Sequence, residues 1–118
     1  MFLIMVTIQS EFNRYYLDYF SHPYTISGSY AGSYSRCSAL LYLKFNNEYA
    51  GTIYFRDELP IRQNFTIANK PALNFHLSQF DDIVNIVRYE KPLYLILSTE
   101  NWNGSISTNL EPVGEQEI

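Results

Sequence analysis

The chain has 118 residues, 47% of them hydrophobic and 17% charged, with a formal net charge of −4. A chain of this size buries roughly two-thirds of its unfolded surface and folds without help from a disulfide or metal, so extensive disorder is excluded. Its eight Lys and Arg are scattered from Arg14 to Lys91, which argues against nucleic acid and anionic membrane as partners, since both require concentrated positive charge.

The first residues, MFLIMVTIQ, are apolar. They carry no preceding positive charge and no small-residue cleavage site, and they are too few to span a bilayer. The expectation is a buried strand over residues 2–9. Residues 11–20, EFNRYYLDYF, place Phe12, Tyr15, Tyr16, Tyr19 and Phe20 at helical spacing, with Ser10 as a possible cap. Their aromatic content tips the reading towards strand. Residues 21–37 combine Ser, Gly and Tyr, with Gly-Ser-Tyr at 28–30 and again at 32–34. The composition predicts a loop with at most a short strand inside it.

Residues 38–46 predict a strand with Leu41, Leu43 and Phe45 on one face and Leu40, Tyr42 and Lys44 on the other. A turn at Asn46-Asn47-Glu48 and a return strand over 49–56 complete a hairpin, which Asp57 to Pro60 ends. Residues 64–68 and 72–77 read as a second hairpin about Asn69-Lys70-Pro71. A helix is expected over residues 79–90. Ser78 is its candidate cap, and Phe80, Ile83, Val84 and Val87 form its apolar stripe. Asp81 and Asp82 in the first turn and Arg88 and Lys91 at the end suit the dipole, and Pro92 stops the helix. LYLILS at 93–98 predicts a central strand buried on both faces, followed by an Asn103-Gly104 turn and a strand over 105–110. The acidic tail, residues 111–118, is expected to be mobile.

These elements sum to one α+β domain over residues 1–110. It is mostly antiparallel β, a sandwich-like or curled sheet of about seven strands with one amphipathic helix. No alternating strand-helix pattern points to a doubly wound parallel sheet.

Chemistry-bearing residues are few. His76 reads as a half-exposed strand residue and His22 as a loop residue, and no zinc-type His/Cys spacing occurs. Cys37 is the only cysteine, which fits a reducing cytoplasm. It follows Arg36 and could meet His22 as a nucleophile–base pair, although a small, partly buried residue opening a strand is the plainer reading. Asp57-Glu58 and Asp81-Asp82 read as turn and cap rather than as an acid–base pair. Neither a phosphate loop, a dinucleotide fingerprint nor a nucleophile elbow is present, and no cofactor is expected. Asn64-Phe65-Thr66 and Asn103-Gly104-Ser105 match the glycosylation sequon, which means little without a secretion signal.

The remaining signal is tyrosine, eleven residues beside eight Phe and one Trp. Tyr suits strands, and its ring can be half buried while the hydroxyl stays wet. Tyr with Ser and Gly gives rigid contact area with adaptable hydrogen bonding. Tyr24, Tyr30, Tyr34 and Arg36, with Trp102 at a hairpin tip, are the candidate binding residues. The expectation is a cytoplasmic, non-enzymatic binding domain for a protein partner, inhibitor-like or immunity-like towards a basic target. A sugar or nucleotide bound in an aromatic-lined pocket is the alternative, and a small hydrolase using Cys37 or His22 is the third reading. An exposed edge strand would also permit a homodimer.

Overall fold

The computed structural model describes residues 6–26 and 35–108. Eight strands form two sheets. β1 (Thr7–Phe12), β7 (Leu93–Ser98) and β8 (Gly104–Ser107) make a three-stranded sheet in the order β1-β7-β8. β2 (Arg14–Ile26), β3 (Ser35–Phe45), β4 (Glu48–Arg56), β5 (Phe65–Ile67) and β6 (Lys70–His76) make a five-stranded sheet in the order β2-β3-β4-β6-β5. The helix α1 spans Phe80–Tyr89. The α+β, mostly antiparallel class is therefore observed, with eight strands among the described residues.

Period-two patterning explains the core. Ala39, Leu41 and Leu43 of β3, Ile53 and Phe55 of β4 and Leu73 of β6 present one face of the large sheet. They meet Phe12, Leu93, Leu95 and Leu97 from the small sheet, with Ile83 and Val87 of α1 in the same cluster. The first and second strands are separated only by Asn13, where the chain passes from one sheet to the other. Asn13 is held there by Asn46 at the β3–β4 turn. The Asn46 amide donates to Asn13 Oδ1 at 2.8 Å, and Asn13 Nδ2 donates to Asn46 Oδ1 at 3.0 Å. Asn46 has φ +57°, a conformation that Asn tolerates.

Several boundaries and one pairing differ from expectation. Of the strand expected over residues 2–9, residues 2–5 lie outside the described residues; β1 begins at Thr7, runs to Phe12 and is buried only at Ser10 and Phe12, and 11–20 is strand on either side of Asn13. The predicted loop over 21–37 is too long, because β2 continues to Ile26 and β3 begins at Ser35. Both hairpins over 38–56 and 64–77 are present. Every consecutive pair of strands joined in a sheet is antiparallel, and the one parallel pairing is between β4 and β6, with β5 added outside β6. The helix lacks the expected Ser78 cap. A 3-10 turn over Leu77–Gln79 precedes it, and His76 Nδ1 accepts the Ser78 amide at 3.1 Å.

β7 is central in its sheet but buried on one face only, with Leu93, Leu95 and Leu97 inward and Tyr94, Ile96 and Ser98 half exposed. The three-stranded sheet lies on the surface of the molecule, which is why that apolar run is not doubly covered. The last hairpin turns at Thr99 to Trp102, and Gly104 already belongs to β8. The predicted tail lies outside the described residues. Among those described, no helix is long and apolar enough to cross a membrane.

Candidate binding surface

The large sheet has a second face, turned away from the core. Alternation puts Tyr16 of β2, Leu40 and Tyr42 of β3 and Thr52 and Tyr54 of β4 on it. β3 is apolar on both faces, with Leu40 and Tyr42 outward and Ala39, Leu41 and Leu43 inward. The Tyr16 and Tyr42 rings stack at 5.0 Å and 16°, and Tyr42 and Tyr49 lie 5.0 Å apart at 45°. Lys44 Nζ stands 6.0 Å from the centre of the Tyr42 ring. The Tyr49 hydroxyl shares a 2.6 Å hydrogen bond with Thr52 Oγ1, which fixes its ring. Together Leu40, Tyr42, Tyr49, Thr52, Tyr54 and Ile67 line a depression of about 410 Å³.

Towards the other end of this face the surface closes into a second small core of Cys37, Tyr54, Phe65 and Ala72. Tyr54 and Phe65 stack there at 5.9 Å. Arg56 is fully buried beside them, and its guanidinium carbon stands 5.0 Å from the Tyr54 ring centre. Arg56 Nε donates to Asn74 Oδ1 at 2.6 Å. Asn74 Nδ2 donates to the Gln63 carbonyl at 2.9 Å, and the Asn74 amide donates to Asn64 Oδ1 at 2.7 Å. Asn64 Nδ2 then donates to the Trp102 carbonyl at 3.0 Å. This chain of amides ties the two sheets together and orders residues 57–64 over the guanidinium. Burial pulls the Arg56 pKa down, while Cys37, Tyr54 and Glu58 hold it up.

The sequence candidates are dispersed by the fold. Tyr24 and Arg36 lie on the paired strands β2 and β3, opposite Cys37 and Thr25 respectively, and not in a loop. Tyr30 and Tyr34 lie outside the described residues. Trp102 has φ +61° and is half buried, packed against the main core, so the hairpin tip folds inward. The hydrophobic pull of the core on an indole outweighs exposure at the turn.

Cys37 is fully buried and its thiol donates to the Ala39 carbonyl at 2.9 Å. Burial raises its pKa, with Arg56 acting in the opposite direction. A thiol kept protonated and enclosed is a packing group rather than a nucleophile. His22 is exposed, its ring 3.3 Å from Ser21 Oγ. His76 Nε2 stands 4.0 Å from Asp57 Oδ1, a surface pairing. No group of three or more His, Cys, Asp or Glu among the described residues could hold a metal ion.

Alternation in the sequence places Leu40, Tyr42 and Lys44 on one strand face, and Tyr49 and Tyr54 of the return strand extend that face, a signal present in the sequence as Tyr on both arms of the hairpin. No family model matches this chain, and no curated protein or solved structure does either.

Proposed function

We propose that the protein is a non-enzymatic binding domain that engages a protein partner through the aromatic outer face of its five-stranded sheet. The observation that carries this reading is the run of Tyr16, Tyr42 and Tyr49, ring against ring across three adjacent strands, with Tyr16 52% exposed. Rings already held by stacking and by the Tyr49–Thr52 hydrogen bond lose little freedom on contact. Such rigid, amphipathic groups are the usual anchors of protein interfaces. The net charge of −4 suits a basic partner.

The depression of about 410 Å³ favours a second reading, in which a sugar or nucleotide base stacks between Tyr42 and Tyr54. One experiment separates the two. The wild-type chain is immobilised beside Tyr42→Ala and Tyr30→Ala/Tyr34→Ala variants of matched stability. Each is exposed to native extract, and retained proteins and small molecules are identified by mass spectrometry. The expected result is a protein retained by wild type and reduced about tenfold or more by Tyr42→Ala, as for an interface anchor. A retained small molecule with the same sensitivity selects the second reading. Loss only in the Tyr30/Tyr34 variant moves the contact to the β2–β3 connection, and equal retention by all three chains overturns the proposal.

A further inference from the structure

Among the described residues the two sheets have four edges, and three are short. β8 has four residues, β5 three and β1 six, whereas β2 has thirteen and is the longest strand. Long exposed apolar edges invite pairing with another chain, and proteins ordinarily blunt them. β2 is open over residues 14–19, all of which are exposed, including Tyr15, Leu17 and Tyr19; Arg14 and Asp18 are its charges there, and its register shift lies beyond, between Tyr19 and Tyr24. Its proline, Pro23, stands beyond this stretch, and a proline is tolerated in a strand only at such an edge.

The sequence of the exposed stretch is Arg14-Tyr15-Tyr16-Leu17-Asp18. Read antiparallel against itself about Tyr16, it is self-complementary. Arg14 meets Asp18 of the second copy, Tyr15 meets Leu17, and Tyr16 meets Tyr16. The faces agree as well. Arg14, Tyr16 and Asp18 lie on the outer face opposite Lys44, Tyr42 and Leu40, while Tyr15 and Leu17 lie on the inner face opposite Leu43 and Leu41. Every pair in this register therefore joins like face to like face, apolar to apolar and cation to anion. A slip by one residue would break both the charge pairs and the facing.

We propose that β2 pairs with β2 of a second copy of this chain, antiparallel about a two-fold axis at Tyr16. The joined sheet has ten strands, and the Tyr42–Tyr16 stack continues across the axis into that of the partner. The inference stands on the edge and its charge order, independently of what the aromatic face binds.

The test is the solution mass of the full chain, measured by light scattering over about a hundredfold range of concentration. The expected species is a dimer of the 13.8 kDa chain that dissociates on dilution. Arg14→Asp and Asp18→Arg each place like charges opposite one another twice and should raise the dissociation constant about tenfold to thirtyfold. The double variant R14D/D18R restores both pairs and should recover the dimer. So should an equimolar mixture of the two single variants, in which the heterodimer carries both charge pairs and each homodimer carries none. Unchanged circular dichroism establishes that each variant is folded. Mild oxidation should link Tyr16→Cys covalently but not Leu17→Cys, because only residue 16 faces itself, and buried Cys37 does not compete. A single-chain mass throughout overturns the proposal. So does a dimer indifferent to both charge reversals, or one in which Leu17→Cys links as readily as Tyr16→Cys.

Discussion

Cys37 and Arg56 occupy the most enclosed corner of the outer face, and each is held away from its usual ionisation by burial. For Cys37 the direction of the shift fixes a pH dependence. Its folded pKa is raised, so its contribution to stability is complete below the ordinary thiol range and is lost as pH rises from that range through the higher folded value. The native chain should react with a thiol reagent at pH 8 about a hundredfold or more slowly than the urea-unfolded chain. The thermal midpoint should also fall above about pH 8.5, and fall less in Cys37→Ala. A native thiol that labels at the unfolded rate would contradict the burial. The sequence places Cys37 as a partly buried residue opening a strand, whereas β3 begins two residues earlier and Cys37 is fully enclosed. The burial of Arg56 was not legible, because in sequence it adjoins the Asp57-Glu58 turn and reads as a strand end. Only the return of residues 57–64, fastened by Asn64 and Asn74, encloses it.

Among the elements, those closed by local chemistry were the ones the sequence revealed: the Asn46 turn, the β5–β6 hairpin and the amphipathic stripe of α1. The pairings that join distant segments were not revealed. Nothing within β4 or β6 specifies that they run parallel, since that follows from β5 taking the outer position. The bulge in β4 is another such feature. The register shifts between Leu43 and Lys44, leaving Ala50 unopposed, and Ser10 Oγ of β1 donates to the Ala50 carbonyl at 2.7 Å. Next to it Gly51 has φ +154°, and a Cβ there would stand 2.5 Å from Leu95 Cδ1 and 2.8 Å from the Pro71 carbonyl oxygen. Leu95 could rotate, but the Pro71 backbone cannot yield readily. Gly51→Ala should therefore cost about 2–4 kcal/mol in urea unfolding, from strain and overpacking together. A loss below about 0.5 kcal/mol would show that β4 can relax at the bulge.

The whole molecule has one principal core, filled from both sheets and the helix. Leu95 sits at its centre, fully buried. Leu95→Ala should cost about 2–5 kcal/mol. Because the single Trp, Trp102, packs against that core from the small sheet while most strand content lies in the large one, fluorescence and far-ultraviolet dichroism should shift together. Separate transitions would mean that the sheets unfold independently. The connection between the sheets carries a further consequence. β1 pairs with β7, Thr7 lying opposite Ser98 and Phe12 opposite Leu93. During synthesis β1 leaves the ribosome about 80 residues before its partner strand, so its inward residues Ser10 and Phe12 have no neighbouring strand until β7 has been made. The hairpins of the large sheet can close as they emerge, but their leucine face stays uncovered until β7 arrives. A chain truncated ahead of residue 93 would keep six of the eight strands and lose Leu93, Leu95 and Leu97, so the leucine face of the large sheet would stay open to solvent.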